Sequence, residues 1–328
     1  MINEVRNTVL SILNKNNYGY ISPSDFNLFA KNAQMEMYEE YYSSFNKTMN
    51  AENGRASGSD YADISKPLME VLESFLMNDF IVPKVVANPY LPTLTNNFYV
   101  PSTTTVGNAA YMINKVIVYT KLIISGFTSN TTPFVLEDFA VDFIVAGVKV
   151  GDIVVNSTTY QSSAVISIIS TTILILQDDI FQDPLVNEGY TIYDASSYSE
   201  AEKVSNSKIL LLQNSLLTTP SLIYPSYTNI GELMTLYPTT IQGYGAVRCD
   251  YFRYPKVPKW TYITLSNGEP VFDQSQLDYQ DFELPTEDSY KLVMKICQYC
   301  GISIREMEVT QYALAQEQHE QPSFSVQQ

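Results

Sequence analysis

Apolar residues spaced three or four apart mark helices at both ends of the chain. Residues 2 to 13 read as a short amphipathic helix. A longer one is predicted from about Asp25 to Phe45, where Phe26, Phe29, Ala33, Met37, Tyr41 and Phe45 form a stripe flanked by Leu28, Met35, Tyr38 and Tyr42. So wide an apolar face is expected to pack against more than one neighbour. The polar run NAENGRASGSD at 50–60 reads as an exposed loop, and a third helix follows Pro67 with Leu68, Val71, Leu72 and Phe75 on one side. The period then changes. From Phe80 to about Ile123 the chain is extended and punctuated by proline, with FIVPKVV and MINKVIVYT as its clearest strands.

Residues 124–195 read as a separate small unit. DFAVDFIV, VKVGDIVVN, SAVISIIS, TTILILQ and GYTIYD are short, β-branched and bounded by turn residues, at the strand spacing of an SH3-like β-barrel. Gly151 with Asp152 is a tight turn between strands. Beyond Glu200 the pattern is helical to about Ser215, then extended again in LIYPSY, ELMTLYP and AVRCDYFRYP, with TNIGE at Thr228–Glu232 as a hairpin turn. A last strong helix is predicted after Pro285, with Thr286 as N-cap, Glu287 and Asp288 in its first turn, and Gly301 at its end. A further helical stretch covers about 305–316. The fold class expected is therefore α+β: helical terminal segments around a β-rich middle, with 1–123 and 196–316 as the core, 124–195 as an inserted small barrel and 317–328 as a flexible tail.

Composition narrows the function. The chain has 328 residues, 45% of them hydrophobic, enough to fill a core. With 35 acidic against 19 basic residues its net charge is -16, which disfavours binding to a phosphate backbone. Cys249, Cys297 and Cys300 make no disulfide framework, which fits a reducing compartment. The first residues lack a signal-peptide apolar region, and the longest apolar stretch, AVISIISTTILIL at 164–176, is too short to span a bilayer, so a soluble chain made in the cytoplasm is expected. The 25 tyrosines outnumber 15 phenylalanines and one tryptophan. Tyrosine combines apolar area with a wet tip, so Tyr38, Tyr41 and Tyr42 on the wide helix are candidates for an interface, although any one tyrosine is commonly a half-buried strand residue.

Three motifs invite chemistry. NKNNYGYISPSD, Asn14 to Asp25, imitates a calcium loop with Gly19, Ile21 and Asp25 in place, but it offers Asn14 and Tyr18 where strong loops have ligands and closes with Asp rather than Glu. The same letters make a helix start, with Ser22 as cap, Pro23 at the first position and Asp25 at the third. Cys297 and Cys300 have metal-ligand spacing, yet they share an apolar helix face with Leu292, Val293 and Ile296, and the lone His319 sits in the tail, so buried thiols are expected. A single histidine leaves no His-dependent triad, and no phosphate-binding glycine pattern occurs, so no metal, cofactor or catalytic residue is assigned.

The third is DYFRYPKVPKW, Asp250 to Trp260. Arg253, Lys256 and Lys259 lie among aromatics, and Pro255 and Pro258 stiffen the segment into an extended arm unfit for a central strand. Such interleaving of basic and aromatic residues also occurs at single-stranded nucleic-acid sites, but in so acidic a chain the arm is expected to dock, through Trp260 and the three cations, on the acidic surface of another copy; the alternative for Trp260 is that it plugs the core of its own subunit.

TVLSILNKNNYGYISPSDFNLFAKNAQMEMYEEYY, LYPTTIQGYGAVRCDYFRYPKVPKW and DFELPTEDSYKLVMKICQYCGISIREMEV together resemble a virion protein of tailed bacteriophages found in crAss-like phages and their podovirus relatives. The resemblance covers roughly residues 1–85 and 200–315 and leaves out the middle unit. It implies a neck ring or head-to-tail adaptor below the portal: a homo-oligomer of roughly 12 copies touching portal and other neck or tail proteins. Genomic DNA would be passing cargo only, and no membrane, cofactor or catalytic residue is implied. Such a protein is made in the host bacterial cytoplasm and ends in the virion. The rival expectation is a β-rich tail or surface module recognising a host glycan. It would need aromatic platforms, and residues 124–195 offer only Phe127, Phe134, Phe139, Phe143, Tyr160, Phe181, Tyr190 and Tyr193, with no Trp.

Overall fold

The computed structural model describes residues 1–13, 21–55, 65–86, 93–130, 132–181, 187–266 and 268–304. Helices α1 (Ile2–Leu13), α2 (Pro23–Arg55) and α3 (Ser65–Glu73) come first. Strands β1 (Leu76–Phe80), β2 (Pro83–Val86), β3 (Thr93–Tyr99), β4 (Ala110–Tyr119), β5 (Leu122–Phe127) and β6 (Val135–Glu137) follow. Then come the one-turn helix α4 (Phe143–Ala146), β7 (Ile153–Asn156), β8 (Ser162–Ser170), β9 (Ile173–Leu176) and β10 (Gly189–Tyr193). Short β11 (Tyr198–Glu200) and β12 (Glu202–Lys203) lead to α5 (Asn206–Gln213), β13 (Ser226–Ile230), β14 (Leu233–Tyr237) and β15 (Val247–Arg253). A hairpin of β16 (Tyr262–Thr264) and β17 (Pro270–Phe272), a 3-10 turn (Thr286–Asp288) and α6 (Ser289–Ile304) complete the described chain. The architecture is mixed α+β, with helices toward both ends and a β-rich middle.

The chain packs as two compact units, Met1–Phe75 with everything from Pro255 onward, and Leu76–Tyr254. Residues 124–195 thus lie inside the second unit. No described helix is long and apolar enough to cross a membrane.

The first unit is helical. Ser22 Oγ accepts the Asp25 N–H at 3.1 Å and donates to its carboxylate at 2.6 Å, a reciprocal cap that starts α2 at Pro23 as the sequence predicts. Phe26, Ala30, Ala33, Met37, Tyr38 and Tyr42 are buried along one stripe of α2, while Leu28 faces outward. The helix continues to Arg55, so the start of the expected 50–60 loop is helical; Ala51 and Glu52 are good helix formers, and polarity by itself does not separate a helix from a loop. Helix α6 packs against α1 and α2, with Leu292 to Cys297 buried almost all round. It runs through Gly301 rather than ending there, since burial outweighs a glycine penalty of about 1 kcal/mol. Thr286 is not its cap: Glu287 and Asp288 lie in the 3-10 turn, which has no side-chain cap. Helix α1 is capped from afar, the Ile2 N–H donating to Asp281 Oδ1 at 2.8 Å.

The second unit holds three sheets. A four-stranded antiparallel sheet has the order β1-β15-β4-β11, and a five-stranded one β12-β13-β14-β3-β2. Hairpin β13-β14 closes with Ile230 opposite Leu233 and Gly231 at φ 61°, the turn that TNIGE predicts. Strand β13 starts at Ser226, later than LIYPSY implies, and the helix expected from Glu200 begins only at Asn206, with the end of β11 and all of β12 before it. One core joins these two sheets, with Phe98, Val116, Val118, Met234, Leu236, Val247, Cys249 and Tyr251 at its centre.

The third sheet has the order β5-β10-β7-β8-β9-β6 and a core of its own, including Leu136, Phe143, Val154, Val165, Leu174, Tyr190 and Ile192. The stretch DFAVDFIV is not the expected strand: its last three residues start α4, because the Asp142 side chain accepts the Ile144 and Val145 N–H groups at 3.0 and 2.9 Å. Strands β7 and β10 serve two cores. Val154 and Ile192 face inward, whereas Val155 and Tyr193 on their other face belong to the core of the first two sheets. Gly245, at φ 77°, lies so close that a Cβ there would meet Val155 Cγ2 at 2.8 Å.

Candidate functional site

The basic, proline-stiffened segment is built differently from the expected arm. Its first residues, Asp250 to Arg253, end β15, which pairs with both β1 and β4 and so is a central strand; the prolines fall beyond its last residue and do not interrupt the ladder. From Pro255 the chain lies on its own unit. Gln34 Nε2 donates to the Lys256 carbonyl at 2.7 Å, and the Lys256 N–H donates to Glu283 Oε2 at 2.7 Å. Lys259 and Gln280 form a β-bridge, and the Lys259 ammonium pairs with Asp278, an exposed contact that solvent screens.

Trp260 corrects the interface expectation most directly, being 1% exposed within its own unit. Tyr262 and Phe272 stack beside it at 5.5 and 6.0 Å, and the Arg6 guanidinium lies 3.8 Å from the ring centroid. The indole N–H donates to Asn3 Oδ1 at 3.0 Å, and Asn27 bonds both the N–H and the carbonyl of the Trp260 backbone at 2.8 and 3.1 Å. The aromatic that seemed to need a partner finds all of it in the same chain. Lys256 and Lys259 remain exposed, and Arg253 is half-buried.

The tyrosines divide similarly. Tyr38 and Tyr42 are buried, Tyr38 in edge contacts with Tyr42 at 5.2 Å and Phe75 at 4.9 Å, so they build the core rather than an interface. Tyr41 is half-buried and donates to Asp288; burial, then this carboxylate, pushes its phenol well above the ordinary value.

Cys249, Cys297 and Cys300 are free, buried thiols, and burial pushes each up to about 12. Among the described residues no cluster of His, Cys, Asp or Glu is arranged to hold a metal. The calcium-like loop lies outside the described residues except for Ile21–Asp25, as do the stretch 305–316, the tail and His319.

Two adjoining open clefts of about 650 and 430 Å³ share Thr105 and Tyr160. Hydroxyls of Ser102, Thr103 and Thr104 line the first, and Asp79, Asp178 and Asp179 the second. Tyr160, held at φ 62°, stacks on Tyr244 at 5.4 Å beside them. Asp79 is already engaged, accepting the Tyr251 hydroxyl at 2.7 Å.

The surface that sequence reasoning missed is α5 with the loop after it. Periodicity treats ILLL as core, yet only Ile209 of this helix is buried. Leu210 and Leu211 are exposed, Leu216 and Leu217 are 102% and 97% exposed, and Ile223 and Tyr224 also face solvent. The available signal is charge: Lys208 is the one charged residue from Val204 to Gly231. A second apolar patch surrounds α4, where Phe139, Ile144, Val145 and Val150 are all exposed. No protein family and no curated protein matches this chain.

Proposed function

We propose that this chain is a structural virion subunit of a tailed bacteriophage that forms a ring in the head-to-tail neck, between portal and tail and around the DNA conduit. The observation that carries this reading is the exposed, nearly uncharged apolar segment from α5 to Tyr224 in a chain of net charge -16. A protein whose net charge keeps copies apart, yet which offers a run of apolar side chains free of carboxylates, is suited to ordered assembly. A distinct second patch near α4 supports a ring in particular, since a head-to-tail contact needs two different faces on each copy. The acidic charge suits a wall past which phosphates slide without sticking. Within this reading the third sheet is a small SH3-like barrel carried as an insert. The bridge between Asn130 and Glu137, which links the chain leaving β5 to β6, supports that curvature.

Negative-stain microscopy with mass photometry of the purified chain tests the proposal. Closed rings of one copy number support it, and a monomer at every concentration overturns it. A second reading, recognition of a host glycan, is favoured by the Tyr160–Tyr244 stack beside hydroxyl- and carboxylate-lined clefts. Saturable binding to a glycan array, lost in Tyr160→Ala, would favour it over the ring.

A further inference from the structure

We infer that the segment Asn206–Tyr224 docks on a second copy of this chain, against the surface formed by Phe139, Ile144, Val145 and Val150. The inference rests on the ring reading above and names the two faces that would close the ring.

The segment is held out rather than frayed. Ser205 Oγ accepts the Lys208 N–H at 3.3 Å, and Asn206 Nδ2 donates to the Asn229 carbonyl at 3.2 Å, pinning the start of α5 to β13. Consecutive residues on a helix are about 100° apart, so Ile209 to Leu212 place apolar side chains on every side of one turn of α5, and only Ile209 of them is buried in its own chain. Beyond it, Thr219 Oγ1 donates to the Ser215 carbonyl at 2.5 Å and the Tyr224 N–H to Ser221 Oγ at 3.2 Å. Pro220 and Pro225 are buried at the base of the loop. Leu216 and Leu217 therefore stand outward on a backbone that is itself hydrogen-bonded.

Area and charge together identify the occupant. Leu210, Leu211, Leu216, Leu217, Ile223 and Tyr224 expose on the order of 500 Å² of apolar side chain. With a polar rim this approaches the ~800 Å² per partner of a stable interface, whose core is roughly two-thirds apolar. Two copies of a chain with net charge -16 repel one another. The stretch from Val204 to Gly231 contains no carboxylate, so it is where such copies can meet without bringing like charges together.

The receiving surface does carry carboxylates, but a donor stretch that contains none brings no like charge to them. Its nearby carboxylates are engaged internally: Asp138 accepts the Tyr190 hydroxyl at 2.7 Å and the Ala140 N–H at 2.8 Å. Asp142 caps α4, and Asp152 accepts the Lys149 N–H at 2.7 Å. Helix α4 buries Phe143 and turns Ile144 and Val145 to solvent. A donor and an acceptor at different places on one chain make a heterologous contact, which propagates and can close.

The test uses the full chain and two variants, Leu216→Glu with Leu217→Glu on the donor face and Val145→Glu on the acceptor face. Each variant alone should need at least ~100-fold more protein to assemble, by mass photometry, with an unchanged circular dichroism spectrum. Mixed one to one, the two variants should form dimers, because each retains the face the other lacks. Serine at the same positions, with a smaller shift of about tenfold, keeps the test sharp if glutamate disturbs the fold. Variants that assemble like the wild type overturn the inference and leave the ring reading standing, and so does a mixture that stays monomeric while the wild type forms rings. A wild type monomeric at every concentration overturns both.

Discussion

Replacing Trp260 with alanine should destabilise the protein rather than its assembly. The indole is 1% exposed, so its removal leaves a cavity flanked by Tyr262 and Phe272, a change that costs about 3–5 kcal/mol in protein cores. Two losses push the value to the upper part of that range. The Arg6 guanidinium, 3.8 Å from the ring centroid, loses its aromatic face, and Asn3 Oδ1 loses its donor. A protein stable by roughly 5–15 kcal/mol would lose a large part of its margin, and its Tm should fall by on the order of 10 °C. Trp260→Phe separates the contributions: it keeps the stacking and cation–π contact but not the N–H, and should cost only about 1–3 kcal/mol. Urea unfolding followed by far-UV circular dichroism is the suitable assay, since Trp260 is the only tryptophan and its own fluorescence is lost. All three proteins must be compared at one concentration, because assembly would itself add to the midpoint. If Trp260→Ala keeps the wild-type midpoint while assembly is lost, the burial reasoning is refuted and the indole belongs to an interface.

Four further outcomes follow from burial. Cys249, Cys297 and Cys300 should resist a thiol reagent at pH 8 and react on unfolding. Below the ordinary thiol value near 9 both states are protonated, but between there and about 12 the unfolded chain ionises first, so stability should fall as pH rises through that window, with Tyr193 and Tyr227, also pushed up to about 12, adding above pH 10. Gly126→Ala should cost about 2–4 kcal/mol in urea unfolding, because its Cβ would sit 2.6 Å from Asp138 Oδ2 and 2.7 Å from the Tyr190 hydroxyl, breaking a buried hydrogen bond; a change under about 0.5 kcal/mol would contradict this. Deleting residues 124–195 and joining the ends should abolish cooperative unfolding, since Val155 and Tyr193 fill the neighbouring core; a remainder that melts with a single sharp transition would show the insert to be independent.

The elements that proved legible were those whose pattern has one local solution. Ser22-Pro23-Ser24-Asp25 specifies a helix start whatever surrounds it, and TNIGE specifies a two-residue turn. DFAVDFIV was ambiguous because four residues cannot establish a period, and the decisive Asp142 cap acts over only three positions. The outer faces were least legible. Trp260 beside three cations and Leu216-Leu217 in a loop without charged residues are both apolar residues in need of cover, and sequence does not say whether that cover is intramolecular. For Trp260 it came from Asn3, Arg6 and Asn27, more than 230 positions away along the chain.

That separation has a consequence for synthesis on the ribosome. Helix α1 takes its cap from Asp281, and α1 and α2 pack on α6, so the first helices are made long before the residues that cover them. At ~5–20 residues per second the interval is on the order of tens of seconds, during which the faces of α1 and α2 that pack on α6 stay uncovered. The middle unit, whose strands all lie between Leu76 and Tyr254, can finish in that time. Biogenesis is thus expected to run from the inside of the sequence outward, with the amino-terminal helices as clients for a holding chaperone until the last helix emerges.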